Sequence, residues 1–342
     1  MRKGFTLIEL LVAMAVLALM IAFASMVFKV SIDTYRVSTA TAEIMQKLRA
    51  VTDQLDADFK GLRKDAPLLI WFAQDTANQN ARHDQIMSFA DGDFSSIQLY
   101  NKITNRPDLA DGTLVIRGNT ARIYYGQANI NESMRRRILV RRQHILTEDA
   151  DTEDWPHDNL SDLGYDDPNS SQTKEDRYEH DRLSLAQWKV IDGSLYVGGN
   201  SVVDPNGNAF SNPPHIDMAD PTTFHKLLSQ GVADFSIQWA YWDTLDDRFY
   251  WFPSDDPDGA LGSAASHFTL MSEPEKFGMY FNISGDITGW YTVIDDAVFY
   301  RKGQSFAKNF FPQALKFTFT LYDSKGVING GMVFSHIVYL EK

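Results

Sequence analysis

The stretch Gly4-Phe5-Thr6-Leu7-Ile8-Glu9-Leu10 decides how this chain is read. A short basic leader, Met1-Arg2-Lys3, stands before it. An apolar run follows it from Leu10 to Phe28, interrupted only by Ser25. Roughly 20 apolar residues suffice to cross a bilayer as a helix, so the run predicts one membrane-embedded helix. Lys29, Asp33 and Arg36 mark its far end. The basic leader sets its near end on the inside.

An ordinary secretory signal fits this pattern poorly, because its cleavage site lies after the apolar run, at small residues. Ala22-Phe23-Ala24 mimics such a site, and a plain membrane anchor is the other simple alternative. Neither accounts for Glu9. A carboxylate at the lip of an apolar helix is costly and is functional by default. It also has a local explanation. Thr6-Leu7-Ile8-Glu9 has the spacing of a capping box, in which Glu9 bonds back to the helix start.

Beyond the apolar run the helix is expected to continue. Residues Ser31 to Phe59 contain no Gly or Pro. Val37, Ala40, Ile44, Leu48, Val51, Leu55 and Phe59 recur every three or four positions, an amphipathic stripe that predicts packing on a domain. Gly61 is the expected stop. Short alternating runs then predict strands at Ser96–Tyr100 and at Thr113–Arg117. The second run turns at Gly118-Asn119 into Ala121–Tyr125 as a hairpin. Further strands are expected at Arg137–Arg142, Ser194–Val197, Asp234–Trp242, Phe277–Ile283, Ala314–Tyr322 and Gly331–Leu340. A long helix followed by mainly antiparallel strands is an α+β layout.

Composition narrows the function classes. The 342 residues, 44% of them hydrophobic, are enough for a sizeable core. A formal charge of −13 argues against general nucleic-acid binding. Cysteine is absent, which excludes disulfides and thiolate metal sites.

Gly4-Phe5-Thr6-Leu7-Ile8-Glu9-Leu10 resembles the cleavage and methylation motif of type IV prepilins and type II secretion pseudopilins. The resemblance implies a pilin-like fold and a cut by prepilin peptidase between Gly4 and Phe5. It also implies N-methylation of Phe5 and a role for Glu9 in subunit register. Glu9 would neutralise the new amine of a neighbour, because a buried charge has to be paired. Removal of the leader takes the formal charge from −13 to −15. Weaker matches point to the J-type minor pseudopilins and the related W-type minor pilins. They lie at Gly231–Trp239, with Gly231-Val232 and Phe235, at Phe311–Leu321 and at Ile138–Arg142. The chain is longer than that type, with expected insertions near 147–182, 204–223 and 243–272 that read as loops.

Asp255, Asp256 and Asp258, in Ser254–Gly259, loosely resemble a calcium loop, but the terminal Glu of an EF-hand is missing and Ala265 stands in its place. Calcium is thus a possible cofactor at those three residues and no other cofactor is expected. Arg135, Arg136, Arg137, Arg141 and Arg142 form a basic cluster that reads as a strand with charged flanks, expected to pair with the acidic insertion. His144, His157 and His180 lack zinc spacing, and Ser263 sits in no nucleophile elbow. Trp239, Trp242, Trp251 and Trp290 would suit either core packing or a sugar surface.

The resulting expectation is a non-enzymatic minor pseudopilin at the tip of a type II secretion pseudopilus. Its parts are a leader (1–4), a transmembrane assembly helix (5–30), an amphipathic continuation (31–61) and an extracytoplasmic domain (62–342). Expected partners are other minor pseudopilins, the major pseudopilin, the inner-membrane assembly platform, prepilin peptidase and membrane lipid before assembly. Nucleic acid is not expected. The expected location is the inner membrane, single-pass, with the C-terminal domain in the periplasm or extracytoplasmic space. The alternatives are a minor type IV pilin and a pilin-anchored envelope enzyme or glycan-binding protein.

Overall fold

A single helix, α1 (Leu7–Lys60, 54 residues), organises the chain. In the computed structural model the described residues are 6–66, 68–71, 84–101, 112–128, 137–147, 178–181, 185, 196–198, 201–203, 216, 221–243, 248–252, 278–281, 300–301, 304–305 and 312–340. Nothing in α1 breaks the backbone ladder, since neither Gly nor Pro occurs within it. It stops at Gly61 as expected, for a reason the sequence does not display. The Gly61 φ is −87°, so no left-handed turn calls for glycine. Instead the strand Gln85–Ser95 crosses so closely that a Cβ at Gly61 would lie 2.1 Å from the Asp91 carbonyl oxygen. The Asp91 N–H donates to the Gly61 carbonyl at 2.8 Å.

The strands follow in order: β1 (Leu68–Trp71), β2 (Gln85–Ser95), β3 (Arg117–Gln127), β4 (Ile138–Leu146), β5 (His180–Asp181), β6 (Tyr196–Gly198), β7 (Ser201–Val203), β8 (Leu227–Gln230), β9 (Val232–Asp243), β10 (Arg248–Phe252), β11 (Gly278–Phe281), β12 (Tyr300–Arg301), β13 (Gln304–Ser305), β14 (Ala314–Leu321) and β15 (Met332–Tyr339). A seven-stranded sheet has the order β11-β1-β2-β3-β4-β5, with β8 also on β4. A four-stranded sheet has the order β10-β9-β14-β15. Pairing is antiparallel throughout these sheets except between β4 and β5. The α+β expectation therefore holds: one long helix and mainly antiparallel sheets.

The chain passes from the first sheet to the second at Gly231, between β8 and β9. Gly231 has φ +76°, which an L side chain rarely adopts, and a Cβ there would meet the Tyr322 carbonyl oxygen at 2.7 Å. Both constraints select glycine at this corner.

The sheets and α1 share one core. Ile44, Val51, Leu55 and Phe59 of the helix pack with Ile86, Ile123 and Tyr125 of the first sheet and with Phe235, Ile237, Leu315, Phe317 and Phe319 of the second. Phe59 is the wedge: its ring lies 6.1 Å from that of Tyr125 and 5.3 Å from that of Phe317. Full burial of such a side chain contributes about 1.5–3 kcal/mol. The stripe is as expected from Ala40 onward, but Val37 is 49% exposed.

Two strand expectations fail. Ser96–Tyr100 is not a ladder strand; Tyr100 makes only an isolated bridge to Leu114. Its alternation is inverted, with Ser96, Gln98 and Tyr100 buried and Ile97 and Leu99 exposed. Buried polar groups explain this: Glu179 accepts the N–H groups of Ile97 (3.1 Å) and Gln98 (2.6 Å), and the Glu179 N–H donates to the Tyr100 hydroxyl oxygen at 2.7 Å. The expected strand Thr113–Arg117 and its hairpin at Gly118-Asn119 are also absent: Leu114 makes only the isolated bridge, and β3 begins at Arg117 and runs straight through Gly118-Asn119. Gly118 serves close packing rather than a turn, since a Cβ there would lie 2.6 Å from Ile145 Cγ2. Strand β10 lies within the segment 243–272 read as a loop.

Candidate functional site

The N-terminus of α1 is built by Thr6 and Glu9. Thr6 is the N-cap, with extended backbone (φ −79°, ψ 151°). The Glu9 carboxylate accepts both the Thr6 N–H and the Thr6 hydroxyl at 2.9 Å, and the Glu9 N–H donates to the Thr6 hydroxyl oxygen at 3.4 Å. The capping box read from the sequence is present. Within a single chain it supplies a polar partner for Glu9 at the edge of the apolar helix.

From Leu7 to Thr39 every helical side chain is exposed, and Ala40 is the first buried one. At 1.5 Å per residue this projecting part measures about 50 Å. Its apolar portion, ending at Phe28, is long enough and apolar enough to cross a membrane. Lys29, Asp33, Tyr35 and Arg36 follow at once. Lysine, arginine and tyrosine are residues that favour the membrane–water interface.

Two polar clamps fix this helix to the domain. The first is buried. Asp58 receives Arg141 Nε at 2.6 Å and Arg141 Nη2 at 2.8 Å, and the Tyr125 hydroxyl donates to the same carboxylate. Asp58 also accepts from Gln54 Nε2 at 3.1 Å. The network continues through Arg141 Nη1 to Gln143 Oε1 (2.8 Å) and through Gln143 Nε2 to Glu179 (3.2 Å). Burial, then the Asp58 charge, pushes the Tyr125 hydroxyl well above its usual range. Burial likewise raises Glu179, against the pull of its backbone donors at Gln98 and Ile97.

The second clamp is nearer the membrane end of the domain. Glu43 accepts the Ser324 N–H (2.9 Å) and hydroxyl (3.0 Å), while Lys47 Nζ donates to the Tyr322 carbonyl at 2.8 Å. Glu43 and Lys47 are paired at 2.8 Å. Asp323 braces the same loop by accepting the N–H groups of Ile328 (3.0 Å) and Val327 (2.8 Å). The Lys47 hydrogen bond holds Glu43 below its ordinary 4.5, and the backbone donors hold Asp323 below 3.8.

These depressed carboxylates stabilise the docked loop while ionised, and lose that contribution as pH falls through their folded pKa values. Glu179 acts in the opposite sense, since its raised pKa favours folding below 4.5 and opposes it as pH rises. Below about pH 4.5 the loop 322–331 is therefore expected to lose amide-exchange protection before β3 and β4 do. Equal loss in both places, followed by hydrogen exchange with mass spectrometry, would contradict this clamp.

The other residues singled out from sequence are distributed as follows. Gly4 and Phe5 lie outside the described residues, as do Asp255, Asp256, Asp258, His157, Ser263, Trp290, Arg135 and Arg136. Trp239 is core, 2% exposed. Trp251 carries Lys316 Nζ over its ring at 4.5 Å. His144 and His180 are buried, and no group of three or more metal-ligating side chains occurs among the described residues. In the basic cluster, Arg141 pairs with Asp58 of α1 and reaches Glu179 of the insertion through Gln143. Arg142 stacks on Tyr124 at 4.9 Å and Arg137 on Tyr322 at 4.3 Å. Asp58 itself drew no attention in the sequence, because it looked like one more charge on the polar face.

Comparison with known proteins adds one positive finding to this geometry. No curated protein and no solved structure matches the chain. The family model for the prokaryotic N-terminal methylation motif matches residues 1–25, so the exposed helix begins with the signal of type IV pilin-like precursors.

Proposed function

We propose that this chain is a minor type IV pilin-like subunit, and more narrowly a J-type minor pseudopilin of type II secretion. The observation that carries it is the methylation motif at the head of a helix that projects, exposed and apolar, from a firmly clamped domain. On this proposal, cleavage falls between Gly4 and Phe5 and methylation falls on Phe5. The domain then stands on the periplasmic side, and the chain acts by assembly and not by catalysis. The narrower assignment is supported by the sequence of Gly231–Trp239 and Phe311–Leu321. These two stretches lie side by side as β9 and β14, with Leu315 opposite Trp239.

In the precursor, Glu9 is held by Thr6. On assembly it would exchange that partner for the amine of a neighbouring Phe5. Leaving either charge unpaired in a low-dielectric bundle costs several kcal/mol, and each 1.4 kcal/mol is a factor of ten. Glu9→Val is therefore expected to be cleaved normally yet to co-assemble with other pilin-like subunits at least about tenfold less. Co-purification from cross-linked membranes and export of secreted proteins are the readouts. Undiminished co-assembly with undiminished export would sink the role given to Glu9. Deletion of the gene separates secretion from a pilus: loss of export supports the pseudopilin, and loss of surface pili with export intact overturns it.

A further inference from the structure

Strand β15 is one edge of the four-stranded sheet, β10 being the other, and among the described residues no strand pairs with its outer side. Its ladder to β14 is regular over its whole length, from Leu321 opposite Met332 to Ala314 opposite Tyr339. The Leu340 N–H donates to the Gln313 carbonyl at 2.8 Å, which fixes the phase of the ladder. Antiparallel pairs alternate between hydrogen-bonded and non-bonded. Met332, Phe334, His336 and Val338 therefore spend their backbone groups on β14. Val333, Ser335, Ile337 and Tyr339 turn theirs to the open edge.

The same four residues carry the exposed side chains. Val333 is 69% exposed, Tyr339 62% and Ile337 38%. Natural edges are normally blunted by lysine, proline, a bulge or a covering segment. Met-Val-Phe-Ser-His-Ile-Val-Tyr has no lysine and no proline, and its ladder has no register shift. An edge of this kind accepts only one chemistry in full, an extended strand.

The clamps give the edge a direction. Ser324, before β15, meets Glu43, and His336 within β15 meets Asp56 at 2.8 Å. Strand β15 thus runs the same way as α1, away from the membrane end. Antiparallel pairing of two β15 edges would set their α1 helices in opposite directions, which a shared membrane forbids. A two-fold along the strands would align the helices but set identical residues level, whereas a parallel ladder requires them staggered. A symmetric pair of this chain is therefore a poor occupant.

We propose that β15 is a docking edge for an extended, uncharged strand of a different pilin-like subunit anchored in the same membrane, so that the four-stranded sheet continues across the subunit boundary. This rests on the assembly role proposed above. Its side-chain specificity would come from β-branched or aromatic residues facing Val333, Ile337 and Tyr339, since such cross-strand pairs stabilise a sheet.

The absence of cysteine and the exposure of Tyr339 allow a direct test in the full-length chain. A photo-reactive phenylalanine analogue is placed at Tyr339, and separately at Leu17 in the apolar helix, in cells expressing the native envelope system. The expected result is an adduct at Tyr339 whose peptide maps to a strand of another methylation-motif protein. Ile337→Lys and Ser335→Pro should each reduce it at least tenfold. The Ser335 N–H faces away from β14, so its replacement keeps the backbone ladder and loses only the hydroxyl contact with Thr318 (2.9 Å), and an unchanged melting temperature confirms this for each variant. Ile337→Lys alone decides the matter if the proline variant melts early. An adduct at Leu17 with none at Tyr339 overturns the edge but leaves the assembly role standing. An adduct of Tyr339 with this chain alone overturns the choice of partner. No adduct with a pilin-like protein at either position overturns both.

Discussion

Asp58→Ala is expected to lower the unfolding free energy of the full chain in detergent by about 3–5 kcal/mol, the cost of breaking a buried ion pair from one side. Asp58 is 5% exposed and its carboxylate is shared by Arg141 and Tyr125. Removing it leaves a guanidinium, itself mostly buried, without its carboxylate partner, and strips the Tyr125 hydroxyl of its acceptor. The neighbouring Asp56→Ala is the control. Asp56 is 57% exposed and pairs with His336, so its loss should cost no more than about 1 kcal/mol. Urea unfolding of both variants separates the two cases. Similar midpoints would mean that the Asp58 network does not hold the helix to the sheet. A combined Asp58→Leu, Arg141→Met, Tyr125→Phe chain should recover much of the loss, because apolar groups of similar volume can replace a buried pair. Recovery would locate the effect in unpaired charge and not in lost volume.

The same residue shows where sequence reasoning stops. The α1 boundaries were legible because periodicity and the lack of Gly and Pro act locally along the chain. The cap was legible for the same reason, since Thr6 and Glu9 are three residues apart. Asp58 and Arg141 are 83 residues apart, and their pairing depends on how β4 lies against the helix. Gly61 and Gly118 were legible as punctuation but not as contacts. One sits beneath the Asp91 carbonyl and the other against Ile145, and neither takes a left-handed φ. Ser96–Tyr100 misled because its alternation is genuine while its buried side is polar, and the carboxylate that makes this tolerable, Glu179, comes from far along the chain. The C-terminal strands were read well because β9, β14 and β15 are long, the β14–β15 ladder is regular, and the β9–β14 ladder shifts register only between Thr318 and Thr320.

Replacing Gly4 with leucine is expected to leave the precursor uncut. On the proposed scheme the scissile bond joins Gly4 to Phe5, immediately before the cap residue Thr6. Glycine there lets the backbone approach a protease closely, because no Cβ intervenes. A branched side chain would hold the bond away. The consequences reach beyond the leader. An uncut chain keeps Arg2 and Lys3, whose transfer through the apolar layer is costly, so the helix cannot leave the membrane with its neighbours. It also lacks a free amine at Phe5, so Glu9 of the adjoining subunit would have no cation to meet and would remain bonded to its own Thr6. Intact-mass analysis of the purified chain should then show residues 1–4 retained and no added methyl group. Glu9→Val, by contrast, should show the leader gone. Normal trimming and methylation of Gly4→Leu would remove the cleavage assignment. Trimming of both variants with assembly lost only in Glu9→Val would leave the helix as an assembly element while moving the processing site elsewhere.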